Sequence, residues 1–272
     1  MTDLITVEGG PERFFRVSRP TADGEVISSS LPAGPWLNGP SGRPLAGALG
    51  VLIDNVAGYV LVLGRPPGGW SVSAEITLDL MRPLPSDGSV LTAQGIVRHA
   101  DNVGGFASAS ITDASGGLVA VCTQHGRWLK GAPAGGDDIP PSTDIPAKSI
   151  AGPPLGEDLA GYLGGQLQIA EGGALFELTV TPELTNPLGN LHGGITLCAC
   201  DLVAQAAVAA AGGPPRTASI HVAYPRPVPV GARVRFAAQV VHLGRAFGVV
   251  RVTGQNYDSG KLFTIATVTM SP

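Results

Sequence analysis

One succession of signals runs twice along this chain, and that repeat limits the folds open to it more than any other feature. An Ala/Leu/Val-rich helical run near 45–63 is followed by alternating β-forming stretches near 70–81, 89–100, 104–113 and 117–129. A second helical run near 193–211 is followed by matching stretches near 217–224, 232–243, 247–257 and 261–270. The repeat is visible in identities too. Arg82-Pro83-Leu84-Pro85 answers Arg226-Pro227-Val228-Pro229, each is followed by a glycine (Gly88, Gly231), and Asp54 and Asp201 hold similar places in the two helices. The loop after the first helix is about three residues longer than its counterpart. One earlier strand precedes each helix, Val26–Leu31 and Ala174–Thr181, so each half reads as about five strands and one long apolar helix.

Such a helix must be covered on its faces, and a curved antiparallel sheet wrapped around it does so. The expected fold is therefore α+β, with two units whose sheets can join edge to edge and remove an exposed strand edge. Residues 131–154, rich in Pro, Gly and small polar residues without periodicity, read as the linker between units at 1–130 and 155–272.

Length and composition agree with two packed domains. The chain has 272 residues, 44% of them hydrophobic and 14% charged, which is enough apolar material for two cores. A net charge of −4 with no Lys/Arg cluster speaks against nucleic acid as a partner. No basic segment followed by an apolar run opens the chain, and Ile195–Ala211, the most apolar stretch, is interrupted by Asp201 and Gln205, so neither secretion nor membrane insertion is expected. Three cysteines without metal-ligand spacing suit a reducing compartment, and the expected location is cytoplasmic. Cys198 and Cys200 face different sides of the helix as core filler, and His99, His125, His221 and His242 are scattered through strands in structural roles. No metal is expected.

The stretch with most chemical content is Asn186-Pro187-Leu188-Gly189-Asn190-Leu191-His192-Gly193-Gly194, which runs directly into the second helix. The first amides of a helix have no intrahelical partner and sit at the positive end of its dipole. Gly193 and Gly194 carry no side chain to block access, so a carbonyl oxygen bound there would be polarised and its developing charge stabilised. Attack on such a carbonyl needs a nucleophile or a base, and a carboxylate serves as either. Asp201 lies eight residues beyond Gly193. At about 1.5 Å per residue the two are roughly 12 Å apart along one helix, too far to share one carbonyl. The carboxylate facing Gly193 should instead come from the other unit, where Asp54 stands.

Asn-x5-His-Gly-Gly with an Asp nine residues after the His resembles the hotdog-fold acyl-CoA thioesterases of the PaaI-like (phenylacetate-pathway) superfamily. Tyr224-Pro225-Arg226-Pro227-Val228 and Gly231 look like that family as well. The likeness covers residues 160–271. It implies two fused hotdog domains forming an intramolecular pseudo-dimer, an acyl-CoA substrate, no cofactor beyond the coenzyme A of the substrate, and further assembly into a homo-oligomer. It also implies sites shared between units, Asn and Gly from one and Asp and Ser from the other. On that pattern Asn186, His192 and Gly193 meet Asp54, with Gly194 and Ser73 near the substrate and Ser73 as counterpart of Ser219. The first half departs from the pattern, since Arg43-Pro44-Leu45-Ala46-Gly47 stands where His-Gly-Gly is expected. A second site of Asp201, Ser219, Ala46 and Gly47 is expected to be weak or purely structural.

Plainer roles stand beside these. Asp54 or Asp201 can be a helix-face residue paired in an oligomer interface, Asn186 a turn former before Pro187, and Ser73 and Ser219 ordinary sheet serines. Arg245, after Gly244 in an expected hairpin turn, can reach coenzyme A phosphates or simply be exposed. The expected activity is hydrolysis of an acyl-CoA thioester. The alternatives are a non-catalytic acyl-CoA or acyl-ligand binder and an enoyl-thioester hydratase or dehydratase, for which the sequence shows no well-spaced Asp and His pair.

Overall fold

Why the two halves join is clear from the strand order of the computed structural model, which describes residues 10–130, 158–214 and 216–272. The expected linker at 131–154 lies outside the described residues. The first half contains α1 (Gly10–Phe14), β1 (Thr21–Asp23), β2 (Val26–Pro32), a 3-10 turn at Ala46–Leu49 leading into α2 (Gly50–Leu63), β3 (Gly69–Leu80), β4 (Val90–Ala100), β5 (Gly104–Thr112) and β6 (Leu118–Lys130). The second contains α3 (Leu159–Tyr162), β7 (Gln166–Ala170), β8 (Gly173–Thr179), α4 (Gly193–Ala210), β9 (Arg216–Ala223), β10 (Arg233–Leu243), β11 (Gly248–Asn256) and β12 (Leu262–Ser271).

All strands form one antiparallel sheet of order β1-β2-β4-β5-β6-β3-β9-β12-β11-β10-β8-β7. The order reads the same from either end once each strand is replaced by its repeat partner, so the halves are related by a pseudo-two-fold between β3 and β9. Those strands pair from Glu75 opposite Ala223 to Asp79 opposite Ser219. The edge that each half would otherwise expose is used up by the other. The short strands β1 and β7 were not separated from β2 and β8 in the sequence pattern, because three to five residues beside a turn carry too little alternation.

Each half of the sheet curves around its helix. Inward positions alternate down the strands with period two, as in β2 and β5. The helices are apolar on nearly every face, with Val51, Leu52, Ile53 and Val56 of α2 and Leu197, Cys198, Leu202 and Val203 of α4 all at 0% exposure. By length and composition Ala46–Leu63 and Gly193–Ala210 are both apolar enough to cross a membrane, yet 72% of each stretch is buried inside the fold, as core helices require. Cys198 and Cys200 are part of this core, and burial pushes both thiols up.

Where the helices meet, they touch backbone to backbone. A Cβ on Gly50 would lie 2.3 Å from the Gly194 carbonyl oxygen, and one on Gly194 would lie 2.4 Å from the Gly50 carbonyl. Only glycine at both places lets each helix put its first turn beside the other's carboxylate.

Candidate active site

That crossing builds two related carboxylate sites, one from each half. In the first, Asp54 of α2 reaches the start of α4. Its Oδ2 accepts from the Gly194 N–H at 3.1 Å and lies 3.3 Å from His192 Nδ1. Its Oδ1 accepts from Ser73 Oγ at 2.8 Å and Gln124 Nε2 at 3.3 Å, and Gln124 also donates to Ser73 Oγ at 2.8 Å. Asp54 is thus held on both oxygens, with its side chain 9% exposed.

The helix start follows from its sequence. His192 has extended backbone at the N-cap of α4, and its Nδ1 is positioned to accept from the Gly194 N–H at 3.0 Å. The Gly193 N–H one residue earlier has no protein acceptor among the described residues. A Cβ on Gly193 would sit 2.7 Å from Asp54 Oδ2, so glycine is required for the carboxylate to come this close. Tyr224 fixes the next peptide, donating from its hydroxyl to the Gly193 carbonyl at 3.0 Å.

A third acid enters from α1. Glu12 Oε1 lies 3.6 Å from His192 Nε2 and accepts from Asn55 Nδ2 at 3.4 Å, while its Oε2 is buried without a partner among the described residues. For the Glu12 carboxyl, burial works upward, but the His192 imidazole, the Glu12 backbone amide and Asn55 outweigh it and the net displacement is downward. Burial alone would lower His192; Asp54 and Glu12 on either side turn the balance upward.

A cavity of about 600 Å³ opens onto this cluster, lined by Glu12, Asp54, Ser73, Gln124, Asn186, His192 and Gly193 and walled by apolar groups such as Val62, Leu63, Trp70, Leu129 and Phe263. Asn186 lines it, but its Oδ1 is committed to the turn amides of Leu188 and Asn190, at 3.0 and 3.2 Å. Only its Nδ2 remains for a ligand.

The second site keeps the acid and loses the opening. Asp201 is fully buried; Oδ2 accepts from the Gly47 N–H at 2.8 Å and Oδ1 from the Thr217 hydroxyl, which Gln205 supports. Burial pushes its carboxyl up to about 6, although Thr217 and the backbone amides of Gly47 and Ala46 pull the other way. A Cβ on Gly47 would fall 2.6 Å from the Asp201 Cβ. The smaller cavity nearby, about 220 Å³, is lined by Arg43, Ala46 and Thr217 but not by Asp201.

Three expectations are corrected by these positions, and Arg245 takes the second of its two roles. Ser219 does not attend Asp201, because its hydroxyl pairs with Thr269 Oγ1 at 2.7 Å; Thr217 stands there instead. Gly194 offers no amide to a substrate, since its N–H is occupied and its Cα packs on Gly50. Arg245 is exposed in the β10–β11 turn and lines neither cavity. An adjacent Asp and His pair does exist, brought together by the fold as Asp54 and His192. Sequence reasoning missed Glu12, Gln124 and Tyr224. The three-residue offset between the halves does carry Ser73 onto Thr217, so that partner was legible.

Two helices, each clasped by half of one sheet and each aiming its first turn at the other's carboxylate, define a fused pair of hotdog units. Known proteins agree. Residues 188–263 match the model of the thioesterase superfamily, and residues 11–127 match that of the acyl-CoA thioesterase C-terminal domain. Acyl-coenzyme A thioesterase 13 of Homo sapiens is 30% identical over 95 residues, covering 34% of this chain and 68% of the relative. At the level of fold alone, the chain is similar to the tesB protein of Mycobacterium avium subs paratuberculosis (TM-score 0.61, 9% identity, 93% of this chain and 96% of that one). It is also similar to an acyl-ACP thioesterase from Bacteroides thetaiotaomicron VPI-5482 (TM-score 0.54, 14% identity, 90% and 97%). The chain belongs to the thioesterase superfamily, and with that membership comes the general chemistry of acyl thioester hydrolysis.

Proposed function

We propose that this protein hydrolyses an acyl-CoA thioester to the free acid and coenzyme A, in the cavity between the repeats and at one site per chain. The observation that carries the reading is the pairing of an unoccupied Gly193 N–H with the Asp54 carboxylate across the helix crossing. The carbonyl oxygen of the thioester takes the Gly193 amide, where the helix dipole and a water-poor setting stabilise the oxyanion. Asp54 acts on the carbonyl carbon. With both of its oxygens already accepting hydrogen bonds, it is better suited to take a proton from an attacking water than to form a covalent bond itself. Asn186 orients the water or the substrate through Nδ2, and the apolar wall receives the acyl chain. The name of the matched relative, an acyl-coenzyme A thioesterase, supports coenzyme A as the carrier.

The sealed Asp201 supports a single working site. Turnover of a panel of short, medium, long and aromatic acyl-CoAs tests the activity, and crotonyl-CoA, followed by loss of enoyl absorbance, tests the hydratase alternative. Asp54→Asn should abolish turnover, a fall of about 10²- to 10⁴-fold, while Asp201→Asn retains it. Equal loss from both variants, or the reverse order, refutes the assignment. Under single turnover in oxygen-18 water, label should enter the product acid and not the Asp54 carboxylate.

A further inference from the structure

Among the described residues, Glu12 is the one acid lining the cavity to which the hydrolysis as written gives no task, and its surroundings are unusual for a carboxylate. It comes from the first unit yet meets the second: α1 packs on the turn Pro182–Leu184, so tightly that a Cβ on Gly10 would lie 2.5 Å from the Glu183 Cα. This seats the Glu12 carboxylate against His192 Nε2, on the opposite side of the imidazole from Asp54. Glu12 Oε1 is engaged by Asn55 and His192, whereas Oε2 is buried, has no partner among the described residues and is part of a side chain that lines the cavity. A buried carboxylate oxygen left without a donor is costly to keep unless a ligand or a transferred proton meets it there.

The pseudo-two-fold supplies an internal control. Phe15 N bonds Pro11 O and Val17 N bonds Glu12 O in the first half, just as Leu163 N bonds Leu159 O and Gly165 N bonds Ala160 O in the second. Ala160 therefore stands where Glu12 stands, and Leu45 stands where His192 stands. The sealed site keeps its aspartate, its glycine amide and its hydroxyl partner, and lacks both the acid and the imidazole together. The pair is absent where the aspartate does not line the cavity.

We infer that Glu12 and His192 form a proton relay that connects Asp54 to the cavity. This rests on the reading of Asp54 as general base. In the forward reaction the oxygen of water bonds to the carbonyl carbon and its proton passes to Asp54. Collapse of the tetrahedral species breaks the carbon–sulfur bond, and the sulfur leaves with the electron pair. The proton on Asp54 Oδ2 moves to His192 Nδ1 as the Nε2 proton moves to Glu12, which releases it into the cavity, where the thiolate takes it up. His192 is suited to this task because its Nδ1 faces both a donor, the Gly194 N–H, and an acceptor, Asp54 Oδ2. Neutral, with its proton on Nε2, the ring accepts from Gly194 at Nδ1; after the transfer it carries its proton on Nδ1 and has none on Nε2, so a turn of the ring or proton exchange with water from the cavity restores the starting tautomer before the next turnover. The charged groups acting on this imidazole are Asp54 from α2 and Glu12 from α1. Glu12 is thus a positioning residue that acts through His192.

Glu12→Gln keeps the size and the Asn55 contact but cannot carry the proton. It should lower kcat by about ten- to a hundredfold with KM within about twofold, and it should move the His192 titration, followed by imidazole nitrogen NMR, to lower pH. Glu12→Asp should recover part of the rate. A variant with unchanged kcat, or with reduced kcat but an unmoved His192 titration, overturns the relay. Should Glu12→Gln fail to fold, a proton inventory in mixed H2O and D2O on the wild-type protein decides: two protons in flight are expected, and one overturns the relay. The NMR titration needs no turnover. An absence of acyl-CoA hydrolysis in the wild-type protein would therefore reject the proposed activity, while the Glu12–His192 coupling would still be judged on its own.

Discussion

Asp201→Asn should remove a pH-dependent weakness from the fold. The Asp201 carboxyl is fully buried and titrates near 6 in the native protein, against 3.8 when exposed. A native state that holds the proton more tightly than the unfolded chain is stabilised by it below pH 3.8, and that stabilisation is lost as pH rises through about 6. At about 1.4 kcal/mol per pH unit of displacement, the loss across the window is about 3 kcal/mol. Glu12, whose carboxyl is held down, and His192, whose imidazole is pushed up, add pH dependences of their own, so the quantity to measure is the difference between wild type and variant. Asparagine retains a carbonyl for the Gly47 N–H and directs its amide to Thr217, and any fixed cost of that exchange shifts the whole difference curve without tilting it. Urea unfolding at half-unit steps from pH 3.5 to 7.5 should show the wild type losing about 3 kcal/mol relative to the variant, or about 1 M in midpoint. The curve should be flat above about pH 6.5. A difference independent of pH, or one that grows in favour of the wild type as pH rises, refutes the picture of a carboxylate stranded by burial.

Two further substitutions test the glycines. Gly193→Ala places a methyl 2.7 Å from Asp54 Oδ2 and should cut kcat/KM by about 10²-fold, with circular dichroism unchanged; wild-type turnover would remove the close approach from the proposed site. Gly194→Ala must push α4 off Gly50, where the added atom would lie 2.4 Å from the backbone. It should lower stability by about 1–3 kcal/mol, visible as a fall in melting temperature, and an unchanged Tm would mean that the crossing yields freely.

Much of the architecture was legible because it depends on local periodicity. Apolar runs flanked by alternating stretches, met twice and tied by Arg82-Pro83 and Arg226-Pro227, suffice for two helices each wrapped by strands. The rise of an α-helix was enough to separate Asp201 from Gly193 and to point across the repeat to Asp54. Other residues were hidden for identifiable reasons. Glu12 precedes His192 by 180 positions and lies in a five-residue helix with no periodicity of its own, so only the tertiary packing of α1 on Pro182–Leu184 unites them. Gln124 is an inward position of β6, where alternation predicts an apolar residue and says nothing of a carboxylate beyond it. Gly194 was misread because a glycine that clears space for a ligand and one that clears space for a neighbouring backbone look alike in sequence.

Fusion of the halves explains how two related sites came to differ so much. In a symmetric pair of identical chains, any change at one helix start is imposed on both, so Leu in place of His192 would close both cavities at once. Within one chain each half can change alone. Asp201 then serves the crossing and no longer the cavity: its carboxylate ties the 3-10 turn that opens the opposite helix, through the Gly47 amide, to β9 of its own half, through Thr217, and a non-polar residue there would leave that amide unpaired in the core. The same contact made by Asp54 to the Gly194 amide is therefore structural before it is chemical. What separates the open site from the sealed one is the set added to that common clasp, an unoccupied Gly193 N–H, His192 and Glu12, facing a cavity that is smaller in the other half and that Asp201 does not line.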